Sequence, residues 1–165
     1  MGLARGGRLQ GLAQVSLRTL PLLVVGIVLV AAAEIRWGSP TAAPALAAAG
    51  YAAVCVMLWR NRDRRWFPVL FVGAALNGAV IASNGGRMPV SPSLFERMGR
   101  PVPGSLLAGT DPRHVLAGSG THLGWLGDRL FVHAGQLALI LSVGDVLLAI
   151  GLAGFVQSTT ARGAV

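Results

Sequence analysis

The chain has 165 residues, of which 53% are hydrophobic and only 12% are charged, and its mean hydropathy is +0.63. These values exclude an ordinary soluble domain and predict one domain that buries its apolar residues in a lipid bilayer. The net charge of +8 comes from fourteen arginines without any lysine. The arginines flank apolar segments instead of forming one patch, so we expect no nucleic-acid partner.

The sequence predicts an all-α fold, an integral membrane helical bundle with about four transmembrane helices. The predicted spans are residues 20–35, 41–59, 66–83 and 136–156 of a single domain that covers residues 1–165. Residues 1–18 carry arginines and scattered leucines and predict an N-terminal interfacial segment. Cleavage of the first apolar segment as a signal peptide remains an alternative.

The distribution of arginine predicts the orientation of this bundle. With both termini in the cytoplasm, the inner segments hold eight arginines and one aspartate, whereas the outer segments hold six arginines and four acidic residues. Arginine-only basic usage with abundant Ala and Gly indicates a GC-rich bacterial genome. We therefore expect a multi-pass protein of the bacterial cytoplasmic (inner) membrane, with the lipid bilayer as its first partner.

Residues 84–113 are rich in Gly, Pro and Ser, and a long outer loop is predicted over residues 84–135. Within this loop, the weakly apolar residues 114–134 are compatible with a surface or re-entrant helix. The single cysteine, Cys55, cannot form an internal disulfide, and no Cys/His pair has the spacing of a zinc site. The sequence thus predicts neither a metal nor a cofactor.

One carboxylate, Asp145, lies within the last apolar segment. A charge at the centre of a span costs roughly 2.5–3.5 kcal/mol on insertion scales and usually faces a protein interior or a wet cavity. Asn77 lies ten residues from the inner end of its span and Asp145 eleven residues from the inner end of its own. We therefore expect the two side chains at one depth, joined by a hydrogen bond that is either functional or only structural.

A polar track is predicted to continue outward from this pair. Asn84 lies seven residues after Asn77 on the same helical face, and Ser142 lies about one turn outward from the carboxylate. The outer end of the track is expected beside three further side chains: Arg87, Asp128 and His133. In the third span, Ala74, Gly78 and Ala82 recur every four residues and predict close packing against the fourth span.

The segment Asn84-Gly85-Gly86-Arg87 precedes a proline and allows two interpretations. In the first, Gly85 or Gly86 takes the left-handed conformation that ends a helix, and Pro89 prevents its continuation. In the second, the glycines let backbone amides approach a ligand, and Arg87 supplies a charge suited to phosphate or carboxylate.

Several segments together resemble one known family. These segments are residues 3–9, 76–77, 84–90, 126–128 and 142–151. They are similar to an uncharacterised bacterial integral membrane family, the domain of unknown function 5317, over nearly the whole chain. The resemblance implies a small integral membrane protein with a third-span asparagine, an NGG-MPV string and two Gly-Asp steps, and it implies no activity. Residues 129–133 depart from the proline-containing apolar stretch expected there.

Three functions remain open from the sequence. The first is binding or transport of a small solute, a proton or ion, or a lipid head group at the polar track between the third and fourth spans, with a homodimer as the expected form. The second is an accessory or assembly subunit of a larger membrane complex. The third is a membrane-embedded enzyme on a lipid-phosphate substrate, in which Asp145, Asp128 and Arg87 would hold phosphate through a metal.

Overall fold

The computed structural model describes residues 16–35, 41–134 and 137–162 of the protein. Three helices come first: α1 (Leu20–Glu34), α2 (Ala43–Arg60) and α3 (Phe67–Ser83). Short elements then form a cap: β1 (Met88–Val90), α4 (Pro92–Met98), α5 (Gly104–Leu107), β2 (His114–Leu116), a 3₁₀ turn (Gly124–Leu126), β3 (Leu130–Ala134) and β4 (Leu137–Leu141). The last helix is α6 (Val143–Arg162). The predicted interfacial segment, residues 1–18, lies largely outside the described residues.

Helices α1 and α2 pack closely because each has a glycine at their crossing. A Cβ atom placed on Gly26 would lie 2.8 Å from the carbonyl oxygen of Gly50, and one on Gly50 would lie 2.9 Å from that of Gly26. Helix α3 packs against both α2 and α6. A Cβ atom on Gly73 would lie 2.8 Å from the carbonyl oxygen of Gly144 in α6. The third span does pack closely against the last helix, but not through the whole predicted face, because Gly78 lies against Tyr51 of α2.

One end of the bundle is basic. Asn61, which follows α2 and is buried, accepts a hydrogen bond from the backbone N–H of Arg18 and donates one to its carbonyl oxygen, both at 2.9 Å. The guanidinium of Arg18 also lies 3.7 Å from Asp63. The start of α1 is thereby held beside the α2–α3 turn, so Arg60, Arg62, Arg64 and Arg65 share this end with Arg18.

The cap contains strands, so the all-α prediction is wrong in this region. Strand β1 pairs with β2 in parallel, and β3 pairs with β4 in antiparallel. Val90 of β1 also bridges Asp128 on its other side. A small core of Val90, Leu94, Phe95 and Leu106 holds these elements together. Residues 114–134 form strands and a 3₁₀ turn where a surface helix was an alternative.

The last predicted span, 136–156, needs correction. Its first part is strand β4, and the helix begins at Val143 and continues to Arg162. The error has a physical reason, since a short apolar run has the same composition in a buried strand as in a helix. Within the part of the chain that the structure describes, two helices, α2 and α6, are long and apolar enough to cross a membrane, whereas α1 and α3 are apolar but shorter.

Candidate functional site

Asp145 lies in the first turn of α6, not at the centre of a span. Its backbone N–H donates to Ser142 Oγ, and its carboxylate Oδ2 accepts the backbone N–H of Ser142, both at 3.0 Å. This reciprocal pair is a capping box, in which two otherwise unpaired amides at a helix start are satisfied. The carboxylate is also stabilised by the positive end of the helix dipole.

Asn77 of α3 closes the network. Its amide Nδ2 donates to Asp145 Oδ1 at 2.7 Å, and its Oδ1 accepts a hydrogen bond from Ser142 Oγ at 2.8 Å. Asn77 and Ser142 are almost fully buried, with exposures of 2% and 0%. The predicted Asn77–Asp145 hydrogen bond is therefore present, with Ser142 as its third member. Both oxygens of Asp145 accept a hydrogen bond, which fixes the orientation of the carboxylate.

A second carboxylate, Asp128, is held beside strand β1. Its backbone N–H donates to the Pro89 carbonyl oxygen at 2.8 Å, and its own carbonyl accepts from Ser91 at 3.0 Å. Its side chain is buried, and its Oδ2 lies 3.8 Å from His114 Nε2. Burial raises the pKa of Asp128 to about 6, although nearby His114 acts in the opposite direction.

His114 connects Asp128 to a third, more exposed carboxylate. The other ring nitrogen of His114, Nδ1, lies 3.3 Å from Asp111 Oδ1. Asp111 also accepts the backbone N–H groups of Arg113 and His114 at 2.9 and 2.8 Å. Desolvation of Asp111 is outweighed by these hydrogen bonds, so the pKa of Asp111 is lowered. The imidazole is therefore placed between a carboxyl group with a raised pKa and one with a lowered pKa.

Of these side chains, Asn77, His114, Asp128 and Asp145 line one cavity of about 220 Å³ between the helices and the cap. Three carboxyl groups line it: Glu34 at the end of α1, Asp128 and Asp145. The other polar lining residues are Tyr51, Asn77, Arg113 and His114, and the apolar ones include Val30, Ala47, Ile81, Met88 and Ile140. Among the described residues, none of the three carboxyl groups has an arginine within 4.0 Å. The cavity therefore has more negative than positive charge.

Asn84 does not join the track that runs from Asn77. Its Nδ2 donates to the carbonyl oxygens of Val80 and His122, and its Oδ1 accepts the backbone N–H of His122 at 3.0 Å. It therefore ties the end of α3 to residue 122 of the cap. His133, which was also expected at the outer end of the track, is exposed on β3 and does not line the cavity.

The two glycines after Asn84 end helix α3, as the first interpretation predicts. Gly85 and Gly86 have φ values of +68° and +77°, and the backbone N–H of Gly86 donates to the carbonyl oxygen of Ile81 at 2.9 Å. A Cβ atom on Gly86 would lie 2.9 Å from the backbone of Pro44. Gly86 is therefore required both by its conformation and by the approach of α2, while it also forms part of the cavity wall.

Arg87 points away from this cavity. Its Nη1 donates to the Gly109 carbonyl at 3.0 Å, and its buried Nε has no hydrogen-bond partner among the described residues. With Asn84 and Gly85 it lines a different, open depression. The combination of Asp145, Asp128 and Arg87 that the lipid-phosphate hypothesis needs is therefore not brought together. Within the described ranges, no three His, Cys, Asp or Glu side chains are grouped to hold a metal.

Four residues of the cavity were not singled out from the sequence: Glu34, Tyr51, Arg113 and His114. Tyr51 is the only tyrosine of the chain and lies within an apolar helix, and this pattern in the sequence indicates a candidate site residue. The ring of Tyr51 is held against Gly78, where a Cβ atom would lie 2.7 Å from the Tyr51 side chain. The pattern Ser-x-x-Asp at 142–145 was also readable as a capping box.

The model of a family described as "Family of unknown function (DUF5317)" matches residues 11–157. The chain belongs to this family. No curated protein and no solved structure matches this DUF5317 chain. Four of the five segments that carried the resemblance lie within the described residues, and each contributes to the cavity lining, through Asn77, Gly86, Met88, Asp128 and Asp145.

Proposed function

We propose that this DUF5317 protein crosses the bacterial cytoplasmic membrane four times, through α1, α2, α3 and α6. The exposed apolar residues support this proposal, since Val24, Ile27 and Val28 of α1 are 56–58% exposed in a helix without any polar face. Only 28% of the 18-residue apolar stretch of α2, and 22% of that of α6, is buried inside the protein. A helix that is apolar all round and yet exposed is stable in lipid rather than in water.

The orientation we propose has the basic end in the cytoplasm and the cap outside. Support comes from the arginines at the end opposite the cap. Asn61 holds Arg18 beside the α2–α3 turn, which carries Arg60, Arg62, Arg64 and Arg65. Positive charge at the cytoplasmic ends of spans is the general rule. Both termini are then cytoplasmic. Helix α1, at about 1.5 Å per residue, is shorter than the hydrocarbon core and implies a locally thinned bilayer.

Within this membrane protein, the cavity binds a small polar group that carries a positive charge. The observation that carries this proposal is the convergence of Glu34, Asp128 and Asp145 on one cavity of about 220 Å³. Asp145 is held in a fixed orientation by the capping box and by Asn77. An ammonium group that enters the cavity would donate strong, charge-assisted hydrogen bonds to carboxylates that are already in place.

The proposed ligand also has an acceptor group. Arg113 lines the same cavity and lies within 4.0 Å of no described carboxylate, so its charge is available to a ligand. A guanidinium suits phosphate or carboxylate. A group with an ammonium at one end and an anion at the other, such as a zwitterionic head group, satisfies both sides. This differs from the anionic rim site expected around Arg87.

The test is equilibrium binding of ethanolamine and of acetate to the purified protein in non-ionic detergent at pH 8. Wild type is compared with Asp128→Asn and with Asp63→Asn, a matched removal of one carboxylate at the basic end. We expect ethanolamine to bind wild type and Asp63→Asn alike, and to bind Asp128→Asn at least about tenfold more weakly. A preference for acetate, or equal affinity in all three proteins, would overturn the proposal.

An accessory subunit is the second candidate, and one observation favours it. The β3–β4 hairpin of the cap exposes Leu130, Val132 and Leu139. Exposed apolar strands are typical sites for another chain. If this candidate holds, protein extracted from native membranes in mild detergent has a larger mass than the Val132→Asp variant. Equal masses of both would remove it.

A further inference from the structure

An apolar groove between α1 and α2 adjoins the polar cavity. The groove has a volume of about 320 Å³, and its apolar lining residues are Ile27, Val30, Ala31 and Val54. Its remaining lining residues are Glu34 and Tyr51, which also line the cavity. Val30 is shared as well. The polar cavity and the apolar groove are therefore adjoining compartments that share one boundary.

The groove lies on the exposed surface of the bundle. Ile27 is more than half exposed, and Ala31 and Glu34 are also exposed. On the same helix, Val24 and Val28 are also exposed but do not line the groove. In the four-span arrangement, such a groove opens sideways to lipid, whereas the cavity holds the charged groups.

We infer that the protein binds a phospholipid with a primary ammonium head group, with the head in the cavity and an acyl chain in the α1–α2 groove. This inference rests on the proposed function and adds the class of ligand. The ammonium group lies toward Asp128, Asp145 and Glu34, and the phosphate lies toward Arg113. Burial of a hydrocarbon chain in the groove adds affinity that the head group alone lacks.

Charge complementarity favours a lipid with an ammonium head group over lipids whose head groups lack one. A head group without an ammonium brings only a negative phosphate to a cavity with three carboxyl groups. Such a ligand would meet like charges, which repel. The phenol of Tyr51, at the boundary of the two compartments, suits the interfacial region of a bound lipid, where an amphipathic ring is favoured.

The test compares three soluble probes by equilibrium binding in non-ionic detergent. Glycerophosphoethanolamine is the head group alone, dihexanoyl phosphatidylethanolamine adds two short chains, and dihexanoyl phosphatidylglycerol has the chains without an ammonium. The proteins are wild type, Ala31→Phe, which fills the groove, and Val28→Phe, which adds the same side chain outside it. Binding of the head group alone reports that the cavity of each variant is folded.

We expect wild type and Val28→Phe to bind the ethanolamine lipid at least about tenfold more tightly than its head group alone. We expect Ala31→Phe to lose that gain while its affinity for the head group is unchanged, and phosphatidylglycerol to bind weakly to all. If Ala31→Phe does not fold, Ala31→Leu takes its place. Equal binding of lipid and head group to wild type would overturn this inference and leave the proposed function standing. No binding of either would overturn both.

Discussion

The amide of Asn77 donates a hydrogen bond to Asp145 across the interface of α3 and α6, with 2.7 Å between Nδ2 and Oδ1. The same carboxylate caps helix α6 through its other oxygen. The Asp145 side chain thus links α3 to α6, caps the first turn of α6 and lines the cavity. The charge is satisfied by two donors, which removes much of the cost of placing a carboxylate in an apolar segment.

Loss of the capping hydroxyl should destabilise the protein. Ser142→Ala removes the acceptor of the Asp145 N–H and the donor to Asn77, so we expect the free energy of unfolding to fall by about 1–2 kcal/mol. Ser158→Ala is the matched control, because Ser158 only donates to the Phe155 carbonyl within the same helix. We expect the control to change stability by less than about 0.5 kcal/mol. Reversible unfolding in mixed micelles measures both, and equal losses would contradict the capping role.

The close approach of α6 to α3 depends on Gly144, which has no side chain. A Cβ atom on Gly144 would overlap the Asn77 side chain and the carbonyl oxygen of Gly73. We expect Gly144→Ala to lower stability by about 1–3 kcal/mol, because the two helices must separate. Gly120→Ala, where the added atom meets nothing within 4 Å, is the control. Thermal unfolding in detergent compares them, and an unchanged Gly144→Ala protein would show that the interface is looser than described.

Stability should fall as the pH rises through the range in which Asp128 ionises. Its pKa in the folded protein is raised from 3.8 to about 6, so the folded state keeps a proton that the unfolded state releases. The resulting stabilisation is complete below pH 4 and is lost as the pH rises through 6. Asp128→Asn keeps a neutral group at all pH values. We therefore expect it to exceed wild type at pH 8 by up to about 3 kcal/mol and to match it near pH 4.

The comparison of unfolding at pH 4, 6 and 8 decides which force dominates at Asp128. If the variant is instead less stable than wild type at pH 8, the interaction with His114 outweighs the cost of burial. Asp63→Asn, at an exposed position on the basic end, is the control. Removal of the Asp63 carboxylate should not alter the pH dependence of stability in the same way.

Topology can be measured by cysteine labelling. In a Cys55→Ala background, we expect Ser119→Cys in the cap to react with a membrane-impermeant maleimide in intact cells. We expect Arg62→Cys, between α2 and α3, to react only after permeabilisation. The expectation follows from the basic charge at the α2–α3 end. The reverse labelling pattern would invert the orientation, and labelling of both positions in intact cells would contradict a membrane-crossing α3.

The positions of the first three helices and the Asn77–Asp145 contact followed from the sequence, because apolar length indicates where such helices lie. The predicted depth of Asp145 was wrong, since the last helix begins at Val143 and places Asp145 in its first turn. Strand β4 did not follow, since five apolar residues next to a helix have no period that separates the two structures. The cap depends on pairing between distant segments, such as Met88 with His114. Tyr51 and Arg113 reach the cavity from segments with no common pattern, so only the fold places them together.

The most direct test of the cationic site is the affinity of ethanolamine for wild type and Asp128→Asn between pH 5 and pH 8. Ethanolamine keeps its positive charge over this range, whereas Asp128 gains a proton below about pH 6. We predict that binding to wild type weakens by up to about tenfold from pH 8 to pH 5, because about nine-tenths of Asp128 is protonated at pH 5, and that weak binding to Asp128→Asn changes much less. Affinity that is equal in both proteins, or that rises toward pH 5, would contradict a cationic ligand in this cavity.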